Sequence, residues 1–287
     1  MNSTLIAGDT VALVANSDPL AATEKPLVAN LTALLNSWQL QVKTSPLLFS
    51  SSPNLAVAKA RLMNQYFADH SVKAIFDLSG GNLANTILPF LDYALIRQNP
   101  KLFCGYSDLS TILNALQTRT QLPVCLFQIK TLVQEATGKQ QQLFYETFFK
   151  NKANLFQFDY SFLRGSQLNA EICGGNLRCF LKLAGTPPFF PELKNKLLFI
   201  ESYSGQQALL LSQFSQLSQL PPHFNSLAGI MLGTFTKYEQ TVPQIPVAEL
   251  LLTSLPAGAT FPIIQTSQIG HAVTSRALFI GTRYVFG

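Results

Sequence analysis

Residues 101–112, Lys-Leu-Phe-Cys-Gly-Tyr-Ser-Asp-Leu-Ser-Thr-Ile, compress a strand, a sharp turn and the start of a helix into one short stretch. Leu102 to Cys104 is an apolar run of the kind that forms a buried strand, and Gly105 interrupts it. Apolar residues then recur at Leu109, Ile112, Leu113 and Leu116, a spacing of three and four that predicts a helix. Ser107 therefore falls on a strand-to-helix turn, where a hydroxyl can be held above the edge of a sheet. The mechanical logic is that of a nucleophile elbow, although the sequence is not Gly-x-Ser-x-Gly. The plain alternative is that Ser107 or Asp108 caps the helix, as both residue types favour that position.

The chain around this turn repeats its rhythm. Thr10 to Ala15 is a continuous apolar run suited to a central parallel strand. A helix is expected over Ala21 to Trp38 with Pro26 in its first turn, a weaker strand over Leu40 to Val42, a helix over 54–69 capped by Asn54, and a buried strand over Val72 to Leu78. Ser79-Gly80-Gly81-Asn82 follows directly, then helical stretches over 83–90 and 92–98, then the elbow strand. This succession predicts a doubly wound parallel sheet, in which binding sites lie at the carboxyl ends of the strands. The Gly-Gly turn and Ser107 both stand at such ends.

Val124 to Ile129 supplies another strand and 130–149 a polar helix or connector. Phe156, Phe158, Tyr160 and Phe162 then alternate with polar residues, the period of a half-buried strand. The change of strand type places a linker over 151–168, between a first domain (1–150) and a second (169–287). The second holds another Gly-Gly-Asn at 174–176, the strand Leu197 to Ile200 ending at Glu201, a helix over 205–220 stopped by Pro221-Pro222, and strands over 227–235 and 261–264. A single closing strand is expected over 277–286.

Of 287 residues, 47% are hydrophobic and 12% charged, with a net charge of +5 and no dense Lys/Arg cluster. That composition belongs to a globular chain and gives no footprint for nucleic acid. No apolar run reaches bilayer length, and the start of the chain lacks the pattern of a signal peptide, so a cytoplasmic location is expected. Cys104, Cys125, Cys173 and Cys179 show no CxxC pairing, so buried thiols are expected, without a metal site.

A serine hydroxyl needs a base within hydrogen-bond reach, and that base needs an orienting acceptor. Among three histidines, His70 ends a predicted helix, where a capping or dipole role is expected, and His223 follows Pro-Pro in a loop. His271, after Gly270, is the one placed to reach a cleft. Glu201, ending an apolar strand, is either solvent-facing or buried against a partner such as an imidazole N–H. The order Ser107, Glu201, His271 is that of nucleophile, acid and base in α/β-hydrolases.

The segment SGGNLANTILPFLDYALIRQNPKLFCGYSDLSTILNAL (79–116) resembles the signature of the LD-carboxypeptidase family of serine peptidases. The likeness extends to GDTVALVA near the start, GGNL (174–177), GTP (185–187), LLFIE (197–201), IGH (269–271) and FIG (279–281). It departs from the family's usual Pro-Ser-Ser after the first strand, having Asn16-Ser17-Asp18. The resemblance implies a flavodoxin-like first domain and a smaller mixed, β-rich α/β second domain. It further implies Ser107 as nucleophile, His271 as base, Glu201 as its orienting acid, backbone N–H groups of Gly81 and Asp108 as oxyanion hole, no cofactor, and a homodimer. The expected substrate is an amide near a C-terminal carboxyl group, in a murein L,D-tetrapeptide or a peptide-nucleotide of the microcin C type. A catalytically inactive ligand-binding relative and a cysteine hydrolase using Cys104 or Cys173 are the alternatives.

Overall fold

A computed structural model describes residues 4–52, 54–220, 224–241 and 243–287. The proline pair expected to stop the helix at 220, and His223, lie outside them. Two six-stranded sheets, each with its helices, organise the described residues.

The first sheet contains β1 (Thr10–Val14), β2 (Gln41–Thr44), β3 (Val72–Asp77), β4 (Leu102–Gly105), β5 (Val124–Leu126) and a late strand, β11 (Leu278–Ile280). Its spatial order is β2-β1-β3-β4-β5-β11, with the first five parallel and β11 antiparallel to β5. The 2-1-3-4-5 order is that of flavodoxin-like sheets. Every residue of β1 and β4 is buried, as continuous apolar strands require when helices cover both faces. Helices α1 (Lys25–Ser37), α5 (Thr131–Gln134) and α6 (Lys139–Phe148) follow β1 and β5, and Leu31, Leu35, Phe144 and Phe148 pack on Leu13, Phe76 and Phe127. Helices α2 (Ala56–Ala68), α3 (Tyr93–Gln98) and α4 (Ser110–Thr120) lie on the other face, where Met63, Phe67 and Ile112 meet Val14, Ile75 and Phe103.

The second sheet runs β12-β7-β8-β9-β10-β6, from β6 (Ser161–Arg164), β7 (Leu168–Asn176), β8 (Lys196–Ser202), β9 (Gly229–Phe235), β10 (Ile263–Gln265) and β12 (Arg283–Phe286). Its four central strands, β7 to β10, are parallel and its two edges antiparallel. Helices α7 (Leu177–Leu181), α8 (Gln207–Ser218), α9 (Thr236–Gln240) and α10 (Val247–Ser254) complete it. Ile172, Leu197, Phe199 and Met231 of this sheet share one apolar cluster with Ile112, Leu113 and Leu116 of α4. The elbow helix is thus enclosed between the two sheets, and even its polar Ser110, Thr111 and Asn114 are buried.

Several local expectations change. The closing strand is two strands: Gly281, at φ +84, turns the chain between β11 in the first sheet and β12 in the second. The stretch 151–168 carries β6, and its aromatic alternation yields a 3₁₀ turn at Asn154–Phe156 with the strand starting only at Ser161. Asn54 sits at φ +66, and Leu55 occupies the N-cap position of α2 without a side-chain cap. His70 is exposed and does not cap α2; the helix ends at Ala68, with Asp69 as its C-cap. Among the described residues, no helix is long and apolar enough to cross a membrane.

Candidate active site

The elbow forms as a strained turn. Tyr106 is extended (φ −151), Ser107 takes a left-handed φ of +56, and a 3₁₀ turn over Ser107–Leu109 leads into α4. Such a conformation costs a non-glycine residue about 1–3 kcal/mol and persists only where its surroundings impose it. Gly105 makes room for it, because a Cβ there would come within 2.7 Å of Leu109 Cβ as the chain doubles back. The capping alternative does not hold. Neither Ser107 nor Asp108 caps the helix; the Asp108 carboxylate is fully buried and accepts from Ser17 Oγ (2.6 Å) and Ala84 N (2.9 Å), and pairs with Lys182.

Glu201 is the penultimate residue of β8 and is fully buried. Its Cα is paired with that of Asn176 on β7, so the two side chains leave neighbouring strands together. Asn176 Nδ2 donates to Glu201 Oε1 at 3.0 Å, and His271 Nδ1 lies 2.7 Å from Glu201 Oε2. Both carboxylate oxygens therefore have partners, which meets the cost of burying a charge.

His271 sits in the loop that leaves β10 in the second sheet and enters β11 in the first. That loop is braced from both sides. Thr234 N at the end of β9 donates to Ile269 O, Ser275 Oγ accepts from Gly270 N, and Gln140 Nε2 of α6 donates to the carbonyls of Val273 and Ser275. Gly270 is forced by packing, since its Cβ would fall 1.7 Å from Thr234 Oγ1. The imidazole arrives with Nε2 at 3.2 Å from Ser107 Oγ. Tyr106 meets its ring edge-on at 4.7 Å between centroids, with the hydroxyl 3.3 Å from Nδ1, and Tyr203 lies at 5.0 Å. Burial, and secondarily the Glu201 charge, push the Tyr106 phenol well above its ordinary value, so it stays neutral.

The structure thus brings Ser107, His271 and Glu201 into one chain of hydrogen bonds. Gly81 lies beside it: a Cβ on neighbouring Gly80 would stand 3.8 Å from Ser107 Oγ. Gly81 has φ +118, and a Cβ there would meet the Asp18 carboxyl at 2.2 Å. The backbone N–H groups of Gly81 and Asp108 have no hydrogen-bond partner among the described residues. Their strand ends, β3 and β4, are adjacent and parallel.

The cysteines have different surroundings. All four are buried. Burial, reinforced by the adjacent Cys125, drives the Cys104 thiol well above its usual range, and burial pushes Cys173 up to about 12. Neither supplies a thiolate near neutral pH. A cleft of about 540 Å³ opens beyond β9 and β10, lined by Thr234, Glu239 and Gln265 among others, but none of the trio lines it. Sequence reasoning passed over Asn176, whose position in a Gly-Gly-Asn ending a strand beside the Glu201 strand is a signal visible only once the two strands are paired.

A part-buried serine–histidine–carboxylate chain on a strained elbow, between two α/β sheets, is an arrangement found among serine hydrolases. The chain belongs to the LD-carboxypeptidase family: the model of that family's N-terminal domain matches residues 11–126 and that of its C-terminal domain residues 169–286. It is 28% identical to the "Probable murein peptide carboxypeptidase" of Bacillus subtilis (strain 168), over 96% of this chain and 88% of that one. It is 24% identical to the microcin C7 self-immunity protein MccF of Escherichia coli, over 97% of this chain and 90% of that one. The structure of MccF in complex with aspartyl sulfamoyl adenosine superposes with a TM-score of 0.86 at 21% identity, covering 98% of this chain and 94% of that one.

Proposed function

We propose that the protein hydrolyses an amide bond close to a C-terminal carboxyl group, with Ser107 as nucleophile. His271 Nε2 takes the hydroxyl proton as Oγ attacks the carbonyl carbon, and Glu201 holds Nδ1–H and balances the imidazolium that results. The N–H groups of Gly81 and Asp108 receive the oxyanion, and Asn176 keeps the Glu201 carboxylate turned toward the ring. His271 then returns the proton to the departing amine. An acyl-enzyme on Ser107 remains, and water cleaves it by the same route. Residues 1–150 act as the unit carrying the nucleophile and 169–287 as the unit carrying acid and base, with β11 reaching back to bind them together.

The observation that carries this reading is the relay itself: Nε2 at 3.2 Å from the serine oxygen and Nδ1 at 2.7 Å from the carboxylate, spanning two sheets. Two amide substrates are consistent with the family, a murein L,D-tetrapeptide and the acyl-amide of a peptide-nucleotide. The enzyme works as a cytoplasmic homodimer in either case. A fluorophosphonate probe is expected to label the protein, to fail with Ser107→Ala, and to label Cys104→Ala as well as the unaltered chain. The Ser107→Ala change lowers turnover by at least ~10⁴-fold. Absence of labelling in the unaltered protein would make it a ligand-binding relative instead. Release of free amino acid from murein tetrapeptide, measured beside cleavage of an aminoacyl sulfamoyl adenosine, decides the substrate.

A further inference from the structure

The two backbone donors assigned to the oxyanion belong to loops of the first sheet, yet the groups that hold those loops come from the second. Arg178 in α7 and Lys182 just after it stand four positions apart, hence on one helix face. Arg178 Nη2 donates to Gly81 O at 2.8 Å, and its Nη1 donates to Asn82 Oδ1 at 2.6 Å. Lys182 Nζ donates to Asn82 O at 2.8 Å and also pairs with the buried Asp108 carboxylate. Each residue that offers an oxyanion donor is therefore gripped by one cation, Gly81 through its own carbonyl and Asp108 through its own side chain.

This matters because two consecutive glycines leave a backbone free to flip. A peptide group is planar and trans, so fixing its carbonyl fixes the direction of the N–H opposite. The Gly80 carbonyl accepts from Asp18 N at 3.1 Å, which turns the Gly81 N–H the other way. The next peptide is held at both ends, its Gly81 carbonyl by Arg178 and its Asn82 N–H by Asp18 Oδ1 at 2.9 Å. Without Arg178 that second peptide is held only at its Asn82 end, so the torsions about the Gly81 Cα loosen, and the first peptide, with the Gly81 N–H, rests on the single Asp18–Gly80 bond to keep its line.

We propose that Arg178 and Lys182 are positioning residues for the oxyanion hole, so that the hole is complete only where the second unit lies against the first. The inference rests on the assignment of Ser107, Gly81 and Asp108 made above. Neither cation touches the reacting atoms; both act through the loop 80–84 and Asp108.

The test is the reaction of a fluorophosphonate probe, resolved into its saturating rate (kinact) and its binding constant (KI). Because the phosphonyl oxygen takes negative charge as Ser107 attacks, kinact reports on the hole. Arg178→Gln is expected to lower kinact about 10- to 100-fold, with KI changed less than about threefold. Its kinact–pH profile keeps the midpoints of the unaltered protein, since the His271–Glu201 pair is untouched. Asn82→Ala removes one of the two acceptors of Arg178 and should lower kinact by a smaller factor. The two changes together should do no more than Arg178→Gln alone, because they break the same contact. Lys182→Met would strand a buried carboxylate and is liable to unfold the chain, so Lys182→Arg, which keeps the charge and shifts its position, serves for that site and should also lower kinact. An unchanged kinact in Arg178→Gln and Asn82→Ala, or a loss confined to KI, overturns the inference while leaving the triad intact. If the unaltered protein is not labelled at all, the triad reading fails and this inference with it.

Discussion

The tripeptide Gly-Gly-Asn occurs twice, at 80–82 and 174–176, and the two copies do opposite work. The first follows β3 in a loop beside Ser107, partly open to solvent, and its glycines leave an N–H without a partner. The second lies inside β7 and is buried throughout. Its glycines are required by close approach: a Cβ on Gly174 would meet Phe199 O at 2.0 Å, and one on Gly175 would meet Ser110 Oγ at 2.3 Å. In the space so gained, Asn114 of α4 donates to Gly174 O and accepts from Gly174 N, while Ser110 Oγ accepts from Asn176 N. The asparagines differ as well. Asn82 is held from outside by Arg178, whereas Asn176 caps α7 and holds Glu201. An identical sequence has become an open turn beside Ser107 in one sheet and an interface in the other.

If this contrast is right, the largest effect comes from the buried copy. Gly175→Ala forces a Cβ against Ser110 at φ +138 and should cost roughly 4 kcal/mol or more, read as loss of soluble folded protein or a steep fall in melting temperature. Gly81→Ala should behave differently. Its clash is with the Asp18 side chain at the edge of a loop, so the fold survives with a modest fall in melting temperature, while kcat drops about 10²- to 10³-fold. A Gly81→Ala variant with full activity would break the assignment of the first turn.

The next effect lies beneath that turn. Asp77 ends β3, fully buried, and burial pushes its carboxyl up to about 6 against the pull of hydrogen bonds from Ser79 and Asn16. A folded value above the unfolded one means that the folded state binds this proton more readily. Its contribution to stability is therefore present below about pH 4 and lost as pH rises through about 6, by up to about 3 kcal/mol. Unfolding free energies of the unaltered protein and Asp77→Asn, compared at pH 4 and 7, should diverge by that order; a constant difference would show that Asp77 does not titrate in this window. The smallest effect is Asn176→Ala, which leaves one Glu201 oxygen unpaired and should cost about 1–3 kcal/mol in stability with about a tenfold fall in kcat. A fall in stability alone would confine the second copy to structure.

Much of this site was legible in the chain because its parts are local. The elbow follows from a strand, a glycine and a helical period within neighbouring residues. Glu201 stands at the end of an apolar run, and the order of Ser107, Glu201 and His271 can be read directly. What failed was also local in appearance but decided at a distance. The run 277–286 looks like one strand, since Leu278, Ile280 and Phe286 are all apolar; only the presence of two sheet edges, one beside β5 and one beside β7, divides it. The helical period of α4 says nothing of its polar residues, which β7 and α7 of the second unit cover and supply with acceptors at Gly174 O and Cys179 O.

By itself, then, the sequence determined which residues could do chemistry and on what kind of element each would stand, because hydrophobic period and backbone preference act over a few neighbours. The tertiary structure decided which of them meet. Asn176 reaches Glu201 because two parallel strands fall into register, and His271 reaches Ser107 because its loop passes from one sheet to the other. Arg178 and Lys182 reach the glycine turn because α7 of the second unit is docked against the loops of the first sheet. Contacts of this kind join residues 25 to 164 positions apart, and no local preference encodes them.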